Sequence, residues 1–529
     1  MKKKTRRDFV KDAGFIGGAF ALYGCSTPGG TDRPPVVDPP ETPETPERPE
    51  TPEPPFTGTR VRRSVTTLAP NGPELRAYRA AVTAMRELPA SDPRSWAAQA
   101  NIHASACPHG NWFFLPWHRA YLHRFEQICA EMSGVPDFAL PYWDWSTSPT
   151  IPAAFWGGGN VLNHPRGIGQ GDSFDADLIG PTAINNILGI SDPVTFASGP
   201  SPTQRGSAAQ GQLESGPHNY VHGRIGADMG TFQSPQDPIF WLHHANIDRL
   251  WTAWRARGNQ DFDDATWRGF EFTNSFFDGA GAAVRDTVAS TLSTAGLGYR
   301  YDTQTGGFGL EAAPMIAGRD SFDPQASVRL APPPVVVPGT TTERTIVAGV
   351  RRIEALRTAS ASIRPTNELR ALLGQRTGAA PAEAFRLEAI VPGEPGAARA
   401  PAPAAAPGGT ARLTIQGIEE PSQPTIIRVF LNAAEVTIDT PSTDPHYVGS
   451  FTFFGGDHGD HAGMAHGDGT LTFHLDFGPC IERLARAGLW TPETDTLDVQ
   501  LSLVPLNGDR AGYSTSIPAP NKIAIAYVR

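Results

Sequence analysis

Two stretches of this chain concentrate histidine among tryptophan, phenylalanine and proline, and no other feature limits the fold as tightly. The first runs Ser95-Trp-Ala-Ala-Gln-Ala-Asn-Ile-His103-Ala-Ser-Ala-Cys107-Pro-His109-Gly-Asn-Trp-Phe-Phe-Leu-Pro-Trp-His118-Arg-Ala-Tyr-Leu-His123-Arg-Phe-Glu126. The second is split into Glu214-Ser-Gly-Pro-His218-Asn219-Tyr-Val-His222-Gly and Asp237-Pro-Ile-Phe240-Trp-Leu-His243-His244-Ala-Asn-Ile-Asp248-Arg-Leu-Trp. Proline is tolerated in the first turn of a helix, so Pro116 predicts that His118 lies near the start of a helix running through Glu126. Residues four apart share a helix face, so His218 and His222 suit a single metal ion, with a third ligand offered by the His243-His244 pair. A lone histidine of this kind is as often structural as functional, but two clusters in aromatic surroundings point to a metal centre held by helices. No glutamate follows the first histidine of the pair, which excludes the zinc-protease pattern. Neutral imidazole suits copper in both of its biological oxidation states.

Around these clusters the chain divides by composition. Its 529 residues are enough for two or three domains. The formal net charge of −10 gives no basic surface for phosphate backbones, so a nucleic-acid partner is not expected. Residues 1–25 combine Arg6-Arg7, a short apolar stretch and Leu22-Tyr-Gly-Cys25. This resembles a twin-arginine export signal ending in a lipobox, which implies a periplasmic or membrane-anchored lipoprotein with lipid on Cys25. Residues 26–57 are a Pro/Glu/Thr-rich linker that cannot bury a core. Residues 58–330 form the expected helical, histidine-bearing domain, and a Pro-rich linker occupies 331–345. From 346 to 529, segments such as Ile426-Ile-Arg-Val-Phe-Leu and Leu497-Asp-Val-Gln-Leu-Ser-Leu-Val alternate like half-buried strands, predicting an all-β sandwich. Four cysteines imply no disulfide framework, although Cys129 and Cys480 remain available to pair.

The stretch 107–122 resembles the first copper-site signature of tyrosinases, catechol oxidases and molluscan haemocyanins, and 237–251 resembles the second. Pro141-Tyr-Trp-Asp-Trp145 and Gly298-Tyr-Arg-Tyr301 are similar to further family elements. The resemblance implies a multidomain chain: a mainly α catalytic domain built on a four-helix bundle around two copper ions, then the β sandwich. It implies His103, His109 and His118 on the first copper, and His218, His222 and His244 on the second. His244 is preferred over His243 because relatives carry a phenylalanine four residues before the third ligand, as Phe114 precedes His118 and Phe240 precedes His244. His164 is the alternative to His103. Cys107 stands where some relatives carry a thioether to the histidine two residues on, here His109. Glu214 and Asn219 fall where relatives order a water that deprotonates a monophenol, and Phe232 near where plant enzymes place a phenylalanine over the second copper. Asp248 and Glu126 read as structural partners of arginines.

The implied activity is oxidation of small phenols to o-quinones with O2. A haemocyanin-like O2 carrier without turnover is the alternative. Carriers are large assemblies of repeated units, whereas this chain has one such unit. Asp457-His-Gly-Asp-His461-Ala-Gly-Met464-Ala-His466-Gly-Asp reads either as a metal-binding tract or as a solvated Gly-rich loop. The C-terminal domain is expected to shield the copper site.

Overall fold

Helix α1 (Pro73–Glu87) starts on proline after Gly72 and buries the stripe Leu75, Tyr78, Ala81, Val82 and Met85, the 3.6-residue period of a core-facing helix. The computed structural model describes residues 59–303, 358–378, 409–454, 470–494, 496–507, 517 and 519–528. The export signal, the linker over 26–57, the join at 331–345 and the histidine tract at 457–468 lie outside the described residues. Among the described residues no helix is long and apolar enough to cross a membrane.

Four further helices carry or flank the histidines. They are α2 (Trp96–Ala106), α3 (Phe114–Ser133), α4 (Asn219–Ile225) and α5 (Ile239–Ala256). Ser95 caps α2 by accepting the Ala98 N–H. In α3, Pro116 falls within the first turn, where its missing N–H costs no helical bond. Gly134, at φ +67°, ends that helix in the left-handed conformation glycine adopts without strain. At about 1.5 Å per residue, the 20 residues of α3 span ~30 Å.

A buried charge network locks these helices. Strand β1 (Arg60–Arg62) pairs in parallel with β2 (Tyr299–Tyr301). From β1, Arg62 donates to both oxygens of Glu126 on α3 at 2.9 Å and to Asp248 on α5 at 3.0 Å. Arg119 and the hydroxyls of Tyr299 and Tyr301 also donate to Asp248. Glu126 and Asp248 are thus arginine partners, as expected.

The C-terminal domain packs two sheets face to face. One has strand order β3 (Thr358–Ile363), β8 (Leu497–Pro505), β5 (Thr425–Leu431), β6 (Tyr447–Thr452). The other is β9 (Lys522–Val528), β4 (Thr410–Glu419), β7 (Thr470–Asp476). Their inward residues, including Ile415, Val429, Phe451, Phe473 and Leu501, form one core. Helices α6 (Asn367–Thr377) and α7 (Gly478–Arg486) add Leu369, Leu373, Ile481 and Leu484 to it. Strand alternation did not reveal these two helices.

The two domains belong to one compact unit, Pro54–Arg529. Gln210 of the helical domain lies beside Phe473 in a parallel bridge: its N–H donates to Thr472 O (2.8 Å) and its carbonyl accepts from His474 N–H (2.9 Å). Ile426, Phe454, Val504 and Leu506 of the C-terminal domain sit in the core of the helical domain.

Candidate metal centre

Six histidines meet in the interior as two adjoining triangles. His103 comes from α2, His109 from the loop that follows, and His118 from the second turn of α3. Their ring centres stand 5.4–5.6 Å apart. His218 precedes α4, His222 lies on it and His244 lies on α5, with ring centres 4.6, 5.0 and 5.3 Å apart. The triangles touch through His118 stacked on His244 at 4.4 Å and His109 beside His218 at 5.5 Å. All six are buried.

Hydrogen bonds fix which nitrogen faces inward. The Nδ1 atoms of His103, His118 and His222 lie 2.8, 2.7 and 2.7 Å from the carbonyls of Phe232, Phe114 and Met229. A carbonyl only accepts, so each Nδ1 carries the proton and each Nε2 keeps its lone pair. His218 Nδ1 stands 2.8 Å from Asn219 Oδ1 with the same consequence. The inward nitrogens then crowd together, His222 Nε2 lying 3.2 Å from His244 Nε2 and His118 Nε2 3.4 Å from His103 Nε2. His109 Nε2 and His218 Nε2 are buried without a partner. Burial foremost, then neighbouring imidazoles, holds His109, His118, His218, His222 and His244 well below the usual histidine value. Burial brings His103 down to about 4. Neutral imidazoles with converging, unpartnered lone pairs fit metal ions, and an all-nitrogen donor set suits copper.

His243 lies within the same cluster by distance. Its Nδ1 accepts from Trp145 Nε1–H at 3.1 Å, and indole nitrogen is a donor only. The neutral ring therefore carries its proton on Nε2, which removes His243 from the donor set. His123 stands apart, between Arg60 and Gln127, and His164 pairs with Asp228 at 2.7 Å rather than joining the cluster. Cys129 and Cys480 are free thiols in different cores, so the pairing left open by the sequence does not form.

Cys107 Sγ lies 3.5 Å from His109 Nδ1. Glu214 opens a single π turn, 214–218, because Pro217 has no N–H for a regular helical bond. That turn carries its carboxyl to the Gly110 N–H at 2.7 Å and to the Ser198 hydroxyl. Burial pushes Glu214 up to about 8, against the lowering effect of those two donors. Asn219 gives its two N–H groups to Gln210 Oε1 (2.8 Å) and Thr452 O (3.0 Å). Phe232, expected over the second triangle, packs instead against His109 of the first, 5.6 Å between ring centres. The ring over both triangles is Phe454, 4.8 Å from His109, 4.5 Å from His222 and 5.7 Å from His218. Nothing in the sequence near the histidines pointed to Phe454, because it arrives from the end of β6, more than 200 positions later.

Residues 92–187 and 181–257 match the common central domain of tyrosinase. The chain is 32% identical over 279 residues to tyrosinase HcTyr1 of Hahella sp. (strain CCB-MM4), covering 42% of this chain and 59% of that protein. It is 30% identical over 280 residues to chloroplastic polyphenol oxidase II of Ipomoea batatas, covering 42% and 47%. The chain thus spans about half the length of the curated relatives it matches. Its structure is similar to that of latent aurone synthase, a polyphenol oxidase (TM-score 0.60, 21% identity, 89% of this chain and 90% of that one). It is similar also to latent apple tyrosinase (TM-score 0.60, 20% identity, 91% and 99%). These likenesses bear out the expected fold class, a mainly helical domain followed by a β domain.

Proposed function

We propose, from the premise that the chain belongs to the tyrosinase family through its central domain, that it oxidises o-diphenols to o-quinones with O2 at a pair of copper ions. The observation that carries this reading is the set of buried neutral imidazoles whose Nδ1 protons are tied outward and whose Nε2 lone pairs converge. His103, His109 and His118 would hold one copper, and His218, His222 and His244 the other. Bound there, copper supplies the two-electron exchange with O2 that no side chain of this protein performs.

The protein's own residues hold the donors still and keep water out. Phe114 and Phe240 lie 4.9 and 4.3 Å from the rings of His118 and His244, where they restrict rotation. Glu214 and Asn219 would serve as the base for hydroxylating a monophenol only once free of their present partners. Their engagement supports diphenol oxidation as the main reaction. Phe454 occupies the space over both triangles, which supports shielding by the C-terminal domain, and the 3.5 Å between Cys107 Sγ and His109 Nδ1 supports a thioether between these two residues. Export by the twin-arginine route and a lipid anchor on Cys25 complete the proposal.

The test is to load the full chain with copper, count metal per chain and follow quinone formation from a catechol and a monophenol in parallel. Two coppers with catechol turnover is the expected result. Two coppers with reversible O2 uptake and no quinone, persisting after Phe454→Ala, would mean an O2 carrier instead.

A further inference from the structure

We infer that the C-terminal domain helps build the second histidine triangle as well as covering it, by fixing through Asn219 which nitrogen of His218 is free. This rests on the dicopper reading above. The Asn219 side chain has one acceptor end and one donor end, and its neighbours decide which faces His218. Thr452 O is a main-chain carbonyl of β6 and only accepts, so at 3.0 Å it requires the Asn219 NH2. Gln210 Oε1 takes the second N–H at 2.8 Å. Turning the amide over would set oxygen against oxygen at Thr452, and at Gln210 as long as that side chain keeps its own orientation. Asn219 Oδ1 must therefore face His218 Nδ1, which must carry the proton, and Nε2 is left as the donor atom. Both contacts depend on the C-terminal domain: Thr452 belongs to it, and Gln210 is held by main-chain bonds to Thr472 and His474 of β7. With the domain undocked, Asn219 is free to turn its NH2 toward His218 Nδ1, which moves the proton to Nε2 and removes one ligand from the second triangle. Gln210 and Asn219 are positioning residues for His218.

The test uses the full chain with Gln210→Met, which keeps length and loses the acceptor, Gln210→Glu, which keeps an acceptor, and Asn219→Leu as a second, independent loss. Two quantities are read. One is the protonation site of His218 in copper-free protein, from nitrogen-labelled histidine spectra with His218→Gln to identify the signal. The other is copper retained against a chromogenic copper(I) chelator. Asn219→Leu should shift the His218 proton toward Nε2 and weaken retention of one copper by about tenfold, the scale for losing a group that orients a metal-bound histidine, and Gln210→Met, which leaves Thr452 O in place, should move both in the same direction by less. Gln210→Glu should keep both properties. An unchanged His218 signal and unchanged copper retention in whichever loss variant folds would overturn the inference. Failure of the unmutated chain to bind copper would instead overturn the dicopper reading, and the copper-free His218 signal would still decide this one.

Discussion

The two histidine triangles are similar in shape and differ in what holds them. The first is anchored within the helical domain: His103 and His118 tie their Nδ1 protons to the carbonyls of Phe232 and Phe114, and Cys107 flanks His109. In the second, only His222 has a main-chain anchor, Met229 O. His218 depends on an amide side chain that is held in turn by the C-terminal domain, and His244 Nδ1 is buried without a partner. A carbonyl fixed in the helical body orients a histidine whatever the rest of the chain does. A side-chain amide is only as reliable as its own partners. The second triangle is therefore expected to be the more sensitive to changes outside the helical domain.

The largest effect tests whether the triangles are separable at all. His118→Ala and His222→Ala should each leave one copper per chain and reduce catechol turnover to background, as measured by metal analysis and quinone absorbance. Loss of both coppers from either variant would mean one cooperative site and would erase the comparison. Next come the changes that act on both triangles together. Asp248→Ala leaves Arg62 and Arg119 buried beside an empty position, and breaking a buried pair on one side costs about 3–5 kcal/mol. Denaturant unfolding should show that loss, with both coppers weakened equally, since Asp248 joins α3 to α5.

Glu214 also spans the triangles, because it binds Gly110 next to His109 while sitting one π turn before His218. Its folded-state value, about 8, lies above the ordinary carboxylate value of 4.5, so folding takes up a proton. The stability tied to that proton is fully present below the ordinary range and is lost as pH rises through about 8. The melting temperature of copper-free protein should fall across that window, and that of Glu214→Gln should stay flatter. A copper-free chain equally stable at both ends of the window would show that Glu214 is ionised throughout and closer to a working base. Smaller again is the effect of Phe454→Ala, which opens the space over both triangles at the cost of roughly one aromatic contact. Catechol kcat/KM should rise about tenfold, the equivalent of ~1.4 kcal/mol. No rise would mean that Phe454 packs there without obstructing the substrate.

This asymmetry also marks what was legible in the sequence. Local spacing showed His218 and His222 one helical turn apart, whereas the set His103, His109 and His118 rested on the resemblance of 107–122 to a copper-site signature. Strands such as Thr425–Leu431 and Leu497–Pro505 were visible from their alternation. The partners that orient the rings were not visible, because Phe232 O, Met229 O and Thr452 O are main-chain atoms and any residue supplies a carbonyl. Choosing His244 over His243 rested on the spacing to Phe240, and the physical reason appears only with Trp145, which arrives from 98 positions away. Helix 478–486 was missed because it follows strand 470–476 with only Phe477 between them, so alternation gave no break.

The smallest predicted effect probes the weakest anchor of the first triangle. His109 is the one member of that triangle whose Nδ1 has no carbonyl, and its neighbour there is the Cys107 sulfur at 3.5 Å. A thiol is a weak hydrogen-bond partner, and burial raises the Cys107 pKa far above its ordinary value, so the group is neutral. If the contact is only that, Cys107→Ser should weaken copper retention by less than about tenfold, below the range for losing a strong orienting partner. Peptide mapping of the unmutated chain would then recover Cys107 as a reactive thiol after denaturation. If mapping instead finds Cys107 joined to His109, the serine variant should lose as much copper affinity as Asn219→Leu. The first triangle would then owe its rigidity to a covalent bond where the second relies on a docked domain. Equal losses without the cross-link would remove the asymmetry, because both triangles would then depend on one replaceable side-chain contact.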